Sequence, residues 1–370
     1  MVYSIDSRES KRITCVRALC VLMIVFLHQF AGDIGNIDFA VSGSVPESPI
    51  CFGIQYIISR IITFSAVPLF FLMSSVLLYA KKFSWQTNMK KKLKTLVLPY
   101  FLWITIYILL YFVGQSISIT SRYFANEGRK VCEMTIIDFV GAYTGIGGHG
   151  LFVNALWFIR DLILLNLFAP VIKKLIDKFP YMYLILILLL FNVGTIPVFL
   201  VMNKLSIVFF SLGYYIVKYN LRMNMVDRFS TKRILSLYVI LITVEYYFYL
   251  TNNSLRLAAH SFTVFAGIVL LIKLSGIVIN DSEVGVPKEL SILATYSFFV
   301  YSSHDFVQTI FKKVSAKILI QSDMIQMVEF FLIPILVCVT CIIIAIVMKK
   351  TLPHCYDIMT GSRSNTYTKS

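Results

Sequence analysis

The feature that most constrains this chain is a series of continuous apolar runs, each near the length needed to cross a membrane. A hydrocarbon core about 30 Å thick takes about 20 helical residues to span. Because the runs are continuous rather than alternating, they predict helices and not the strands of a β-barrel. We therefore expect an all-α, polytopic integral membrane protein with about ten transmembrane helices. The ten runs lie at 13–31, 51–79, 95–114, 151–172, 181–202, 204–218, 234–251, 257–279, 289–311 and 326–348.

Composition leads to the same class of protein. Of the 370 residues, 58% are hydrophobic and 14% are charged, and the mean hydropathy is +0.79. A soluble domain carries about 25% charged residues. The net charge of +15 falls between the apolar runs, where membrane topology explains it. We expect contact with anionic membrane lipids and no nucleic-acid partner.

The distribution of lysine and arginine predicts the orientation. With the N-terminus in the cytoplasm, the inner segments hold 23 of these residues, the outer segments hold 8, and 3 lie within runs. This bias favours both termini on the cytoplasmic side. We expect one membrane-embedded domain over 1–350 and a short, disordered cytoplasmic tail over 351–370.

Two polar residues lie within the first run, Arg17 and His28. Each adds up to about 3 kcal/mol to the cost of insertion. At about 100° per residue, their separation places both on one helix face, roughly 16 Å apart along the axis. One face thus carries a cation near one end and an acid–base group near the other. The alternative is that Arg17 snorkels to the headgroups and His28 lies at the interface.

Two further segments combine polar residues with a predicted span. The run KKKLKTLVLPY, residues 90–100, is interpreted as a cytoplasmic patch for an anionic cofactor such as the nucleotide end of coenzyme A. Lysines and free N–H groups at a helix N-terminus suit phosphate, although topology alone also explains lysines there. Pro68 predicts a break in the second span, which either lines a cavity or is an ordinary kink.

Later spans also contain charges. Arg160 and Asp161 are adjacent, so their side chains diverge by about 100°. We expect them not to pair face to face, and at least one to meet a partner on another span. Ser303, His304 and Asp305 are also consecutive, which excludes a Ser-His-Asp relay on a helix. His304 is interpreted as a pocket wall or a secondary acid–base group.

The remaining features assign no site. The seven cysteines are odd in number, and Cys338 and Cys341, three apart with no histidine or aspartate nearby, are interpreted as core packing, so we expect neither a disulfide framework nor a zinc centre. No other metal site is expected. Glu245 and Arg60 are further charges within the runs, and their role is open.

Taken in order, these segments resemble the acyltransferase family 3 proteins of bacteria, from about Lys11 to Met348. The most specific element is arginine, ten residues, then histidine, met by Arg17 and His28. The other matching segments are SAVPLFFLMSSVLL, KKKLKTLVLPYFLW, LWFIRDLILLNLFAPVI and YSFFVYSSHDFV. The chain departs from the family where Ser74-Ser75 replaces Ser-Gly, and where Lys91 and Lys94 replace arginines.

The resemblance implies a ten-span enzyme of the bacterial cytoplasmic (inner) membrane. It implies transfer of an acyl group, usually acetyl, from acetyl-CoA to a hydroxyl of a cell-envelope polysaccharide such as O-antigen, or of its lipid-linked precursor. The roles expected are catalysis for His28 and Arg17, and binding of the coenzyme A phosphates for Lys91 and Lys94. The secondary or pocket positions are His304, Arg160, Asp161 and Ser74.

Two other classes of function stay open from the residues alone. Buried arginine, histidine and carboxylates also suit the proton relays of a transporter for a glycan or small molecule. A signalling or scaffold protein without chemistry is the third interpretation. An enzyme leaves a covalent ester on its product, whereas a transporter only changes where its substrate lies.

Overall fold

The computed structural model describes residues 3–30, 47–80, 84–121, 124, 130–146, 150–192, 202–280, 285–319 and 322–362. In these ranges the regular structure consists of helices, without strands. The α-helices are α1 (Ser7–Leu27), α2 (Pro49–Tyr56), α3 (Ala66–Tyr79), α4 (Trp85–Lys92), α5 (Leu98–Ser116), α6 (Ile136–Thr144), α7 (Trp157–Lys178), α8 (Pro180–Asn192), α9 (Lys204–Lys218), α10 (Thr231–Leu250), α11 (Arg256–Asn280), α12 (Lys288–Ile318), α13 (Asp323–Thr351) and α14 (Pro353–Thr360).

The helices are grouped into two compact units. Unit 1 comprises Met1–His28, Gly53–Asn88 and Leu164–Ser297. Unit 2 comprises Gln29–Phe52, Met89–Ile163 and Phe298–Ser370.

Helix α1 is held by several elements of unit 1. The helix begins where the Asp6 carboxylate accepts a hydrogen bond from the backbone N–H of Glu9 at 2.7 Å, which satisfies a donor that the first turn leaves open. From there α1 packs against α3 and α11, while α3 also packs against α9, and α10 against α11. The first helix is therefore packed against two other long helices of this unit.

An irregular stretch interrupts the second predicted span within unit 1. A π-helix covers Ile57–Ile62, and a 3₁₀ turn covers Thr63–Ser65 before α3 begins. Pro68 lies in the first turn of α3, where its ring would clash with the carbonyl four residues earlier in a regular α-helix. The predicted break is thus present, but it lies before the proline, which is in the first turn of a regular helix.

In unit 2, α5 packs against α6 and α14, and α13 packs against α14. The Trp103 indole donates a hydrogen bond to the carbonyl of Met359 at 3.1 Å, and Tyr356 is buried. The tail that begins at residue 351 therefore carries a packed helix, Pro353–Thr360, in its described part. Residues 363–370 lie outside the described residues.

Six helical segments of the described chain are long and apolar enough to cross a membrane, by length and composition. Every other predicted run also overlaps a helix, but the count of about ten spans and the orientation of the termini stay predictions. The six are Pro49–Tyr79, Trp85–Ser116, Asn154–Lys178, Thr231–Leu250, Arg256–Ile279 and Asp323–Thr351.

Candidate active site

Arg17 and His28 lie on one element of unit 1. Arg17 is within α1, and His28 is its C-terminal cap, with φ −84° and ψ 0°. The His28 backbone N–H still donates to the carbonyl of Ile24, at 3.3 Å. Because the helix is continuous between the two residues, their predicted spacing along one helix holds. Both side chains are partly buried.

The end of α1 is fixed to the π-helix. The buried Ser59 hydroxyl donates a hydrogen bond to the carbonyl of Phe26 at 2.8 Å, and the Thr63 hydroxyl donates to the carbonyl of Ser59 at 2.7 Å. Carbonyls in the last turn of a helix have no intrahelical partner. The Ser59 hydroxyl supplies the missing donor at Phe26, which lies two residues before His28. A π-helical turn is uncommon and is often found at functional sites.

The Ser74-Ser75 departure from the family pattern has a structural counterpart in α9. Ser74 is partly exposed, and Ser75 is fully buried. A Cβ added to Gly213 of α9 would lie 2.5 Å from both the Ser75 Cβ and the Leu72 carbonyl oxygen. Helices α3 and α9 therefore approach each other closely at this point, with the glycine on α9.

Lys91 and Lys94 are exposed and belong to unit 2. The expectation that they stand at a helix N-terminus with free N–H groups is wrong. Trp85 begins a helical segment that continues through a π-helix at Leu93–Val97 and into α5. The lysines thus project from inside a helix, where backbone N–H groups are already bonded, and only their ammonium groups offer charge to an anion.

Arg160 and Asp161 do pair with each other, contrary to the sequence-based expectation. The Arg160 Nε and Nη2 atoms donate to one oxygen of Asp161 at 3.0 and 2.9 Å, because the long arginine stem bends sideways across the helix. Arg160 Nη1 also donates to the carbonyl of Thr144 at 3.4 Å, at the end of α6, which lies between two of the predicted spans. Gly145 follows, with φ +74°, and an added Cβ would collide with Arg160 Nη1. Glycine is thus required there by both backbone and packing.

His304 is fully buried in α12, in unit 2. Its Nδ1 lies 2.6 Å from the carbonyl oxygen of Tyr301, so Nδ1 carries the proton and donates. The Ser303 hydroxyl instead donates to the carbonyl of Phe299 at 2.8 Å. Both bonds run to carbonyls of the same helix, four residues before Ser303 and three residues before His304.

The predicted residues are thus divided between the two units. Unit 1 contains Arg17, His28 and Ser74, and unit 2 contains Lys91, Lys94, Arg160, Asp161 and His304. Sequence reasoning missed Ser59 and Gly213. A lone serine in an apolar run gives no signal, whereas Gly213 could have been noticed as a glycine within a predicted span. Within the described residues, no cluster of three histidine, cysteine or acidic side chains is placed to hold a metal ion.

Comparison with known proteins identifies the family. The model of the family described as an acyltransferase domain matches residues 10–349. The succinoglycan biosynthesis protein ExoH of Rhizobium meliloti is 23% identical over 247 residues, which covers 61% of this chain and 58% of that protein. This chain therefore matches less than two thirds of that relative's length. No solved structure matches. With its long apolar helices, the chain is a multi-pass membrane protein that belongs to this acyltransferase family.

Proposed function

We propose that the protein is a membrane O-acyltransferase. It moves an acyl group, expected to be acetyl, from acyl-CoA to a hydroxyl of a cell-envelope polysaccharide or of its lipid-linked precursor. Arg17 and His28 on one continuous helix, inside the segment that matches the family, carry this proposal. The similar protein's name assigns it to succinoglycan biosynthesis, which supports a polysaccharide acceptor. The protein would act in the bacterial cytoplasmic membrane.

His28 is the proposed general base. A sugar hydroxyl is a weak nucleophile at neutral pH, and an imidazole with a pKa near 6.5 in water suits removal of its proton. As the hydroxyl oxygen attacks the thioester carbonyl, the proton moves to His28 and an oxyanion forms. Collapse of this intermediate breaks the carbon–sulfur bond, and the thiolate takes up the proton. Ser59 holds the end of α1 at Phe26, so it limits the positions that His28 can adopt.

Arg17 is the proposed electrostatic partner. A guanidinium in a low-dielectric site stabilises an oxyanion or an anionic donor more strongly than it does in water. Lys91 and Lys94 would bind the coenzyme A phosphates through exposed ammonium groups, which attract phosphate as point charges rather than as a bidentate fork. The family resemblance gives secondary roles to the four remaining positions: His304, Arg160, Asp161 and Ser74.

The test compares the ester content of surface polysaccharide between strains. Proton NMR would measure alkali-labile O-acetyl groups in cells that lack the protein, cells that express it, and cells that express His28→Ala at the same level. His354→Ala is the matched control, because His354 is exposed and follows the last predicted span. We expect the acetyl signal with the wild type and with His354→Ala, and its loss with His28→Ala. A wild-type signal from His28→Ala would refute the assignment of the base.

If the signal is the same in all strains, labelled acetyl-CoA supplied to isolated membranes decides the donor. Incorporation of label into polysaccharide that depends on Lys91 and Lys94 would support coenzyme A as carrier of the acyl group. No turnover of acetyl-CoA, together with movement of a glycan across the membrane, would replace the proposal with a transporter.

A further inference from the structure

A carboxylate and an imidazole meet between α10 and α11, and neither belongs to the predicted site residues. Glu245 Oε1 lies 2.7 Å from His260 Nδ1. Glu245 is 2% exposed, and its Oε2 atom has no hydrogen-bond partner among the described residues. The His260 side chain is 20% exposed. A buried carboxylate in an apolar span is costly, and such residues are by default candidates for a functional site.

The pair fixes which atom of His260 is offered to a ligand. With Nδ1–H donating to Glu245, the Nε2 atom of the neutral imidazole has a lone pair that can accept a hydrogen bond. The ring of Phe64 packs edge-on against the imidazole, with 4.5 Å between centroids, so the plane of the imidazole is also held. Glu245 and Phe64 together orient Nε2 as a hydrogen-bond acceptor.

Arg256 lies one turn before His260 on α11 and contacts Tyr56 of α2 and Tyr249 of α10. Arg256 Nη2 donates a hydrogen bond to the Tyr56 hydroxyl at 2.5 Å, and its guanidinium lies over the Tyr249 ring at 4.8 Å. The rings of Tyr56 and Tyr249 stack at 3.9 Å. This end of the α10–α11 pair therefore presents an imidazole, phenols and a guanidinium on a rigid aromatic base.

The same end of unit 1 holds His28. The π-helix that begins one residue after Tyr56 packs against α10, α11 and α1. Within it, Ser59 bonds to the carbonyl of Phe26, two residues before His28. One short helical segment thus connects the surroundings of His260 with the end of α1.

We propose that Glu245 and His260 form the acceptor-binding site, in which His260 Nε2 accepts a hydrogen bond from a hydroxyl of a neutral saccharide. Glu245 is a positioning residue that acts through His260. This assignment rests on the proposed function, because a hydroxyl acceptor must be bound beside the base. A lone pair requires a ligand that donates a hydrogen bond, which a hydroxyl does and a fully ionised phosphate or carboxylate does not.

The first experiment separates acceptor binding from acyl chemistry. Purified protein in lipid nanodiscs would receive labelled acetyl-CoA, with and without host surface oligosaccharide freed of esters by alkali. For His260→Leu and Glu245→Gln we expect the acceptor KM to rise about tenfold, the loss of one hydrogen bond. Acetyl-CoA hydrolysis without oligosaccharide should not change, because water needs no such site. His260→Gln keeps an acceptor oxygen and should restore most of the affinity.

A fall in kcat with unchanged acceptor KM would overturn the proposal, as would an equal loss of acetyl-CoA hydrolysis. Thr243→Val is the matched control, since Thr243 is exposed on α10 and bonds only within its helix. This variant should keep the wild-type acceptor KM.

A second experiment measures binding of the same oligosaccharide to the nanodisc protein without donor, by calorimetry. Binding by the wild type and by Thr243→Val, but not by His260→Leu, supports the site even if no acyl transfer is seen, in which case the proposed function alone fails. Equal binding by His260→Leu, or no binding by a wild type that transfers acyl groups, overturns the site and leaves the proposed function standing. Absence of both binding and transfer in the wild type overturns both.

Discussion

Breaking the buried ion pair between Arg12 of α1 and Asp227 tests how the fold holds its first helix. Arg12 is 1% exposed, and its Nη1 and Nη2 atoms donate to the two oxygens of Asp227 at 2.8 and 3.1 Å. Nη2 also donates to the carbonyl of Ile272 at 2.7 Å, and Nε to the Ser275 hydroxyl at 3.3 Å. The guanidinium therefore joins α1 to α11 and to the 3₁₀ turn Met223–Arg228, which contains Asp227.

Removing Asp227 should leave a buried, uncompensated charge. Loss of one partner of a buried ion pair typically costs about 3 to 5 kcal/mol. The Asp227 side chain is 22% exposed, so solvent screens part of the interaction, and two neutral acceptors still face Arg12. We expect Asp227→Ala to lower the free energy of unfolding by about 2 to 3 kcal/mol. Arg12→Met should cost less, because Asp227 can be hydrated.

The double variant Arg12→Met/Asp227→Ala separates charge burial from loss of packing. It removes both charges and keeps an apolar stem, so it should be more stable than Asp227→Ala alone. The assay is the midpoint of thermal unfolding in detergent, followed by fluorescence-detected size-exclusion chromatography. An unchanged midpoint for Asp227→Ala, or a double variant whose loss equals the sum of the single losses, would refute the reasoning.

Two other changes test the site and its scaffold. Ser59→Ala removes the donor to the Phe26 carbonyl, a loss of about 1 kcal/mol. It should reduce acyl transfer several-fold at unchanged protein level through displacement of His28, and Ser59→Thr should recover it; single-turnover transfer rates check this. Gly213→Val places atoms within 2.5 Å of the Ser75 Cβ and should abolish the folded, monodisperse protein. Gly213→Ala should retain a reduced fraction, which the chromatographic peak height measures.

Most helices can be predicted from hydropathy, because an apolar run of this length has few alternatives in lipid. The run predicted at 204–218 corresponds to α9, Lys204–Lys218. The spacing of Arg17 and His28 is equally predictable, since a continuous helix fixes it. Local periodicity determines both features, and no long-range contact is needed.

Polar helical turns cannot be predicted in this way. Trp85–Lys92 carries little apolar signal, so hydropathy places the start of the third span at residue 95 and makes the lysines resemble a helix N-terminus. The structure extends the helix to Trp85 and gives Lys91 and Lys94 a different electrostatic setting. The pairing of Arg160 with Asp161 escapes prediction for a related reason. The angle between successive residues of a helix fixes the direction of each Cα–Cβ bond. The long, flexible arginine side chain can still bend to a neighbour that its Cβ does not face.

The meeting of Glu245 and His260 is, by contrast, within reach of the sequence. The chain between α10 and α11 turns at Asn252, with φ +48°, and Asn253 N–H donates to the Phe248 carbonyl. In an antiparallel helix hairpin with so short a connection, residues equally far from the turn lie at the same level. Glu245 stands seven residues before Asn252, and His260 seven after Asn253.

The same rule predicts a second contact, between Tyr249 and Arg256, because each lies three residues from the turn. The Arg256 guanidinium indeed lies over the Tyr249 ring. The Asn-Asn turn between two apolar runs is therefore enough, as a local sequence signal, to predict the pairing of Glu245 with His260. No such rule relates Arg12 to Asp227, which are 215 positions apart. The contact that anchors α1 depends on the packing of distant segments, so that part of the scaffold emerges only from the folded chain.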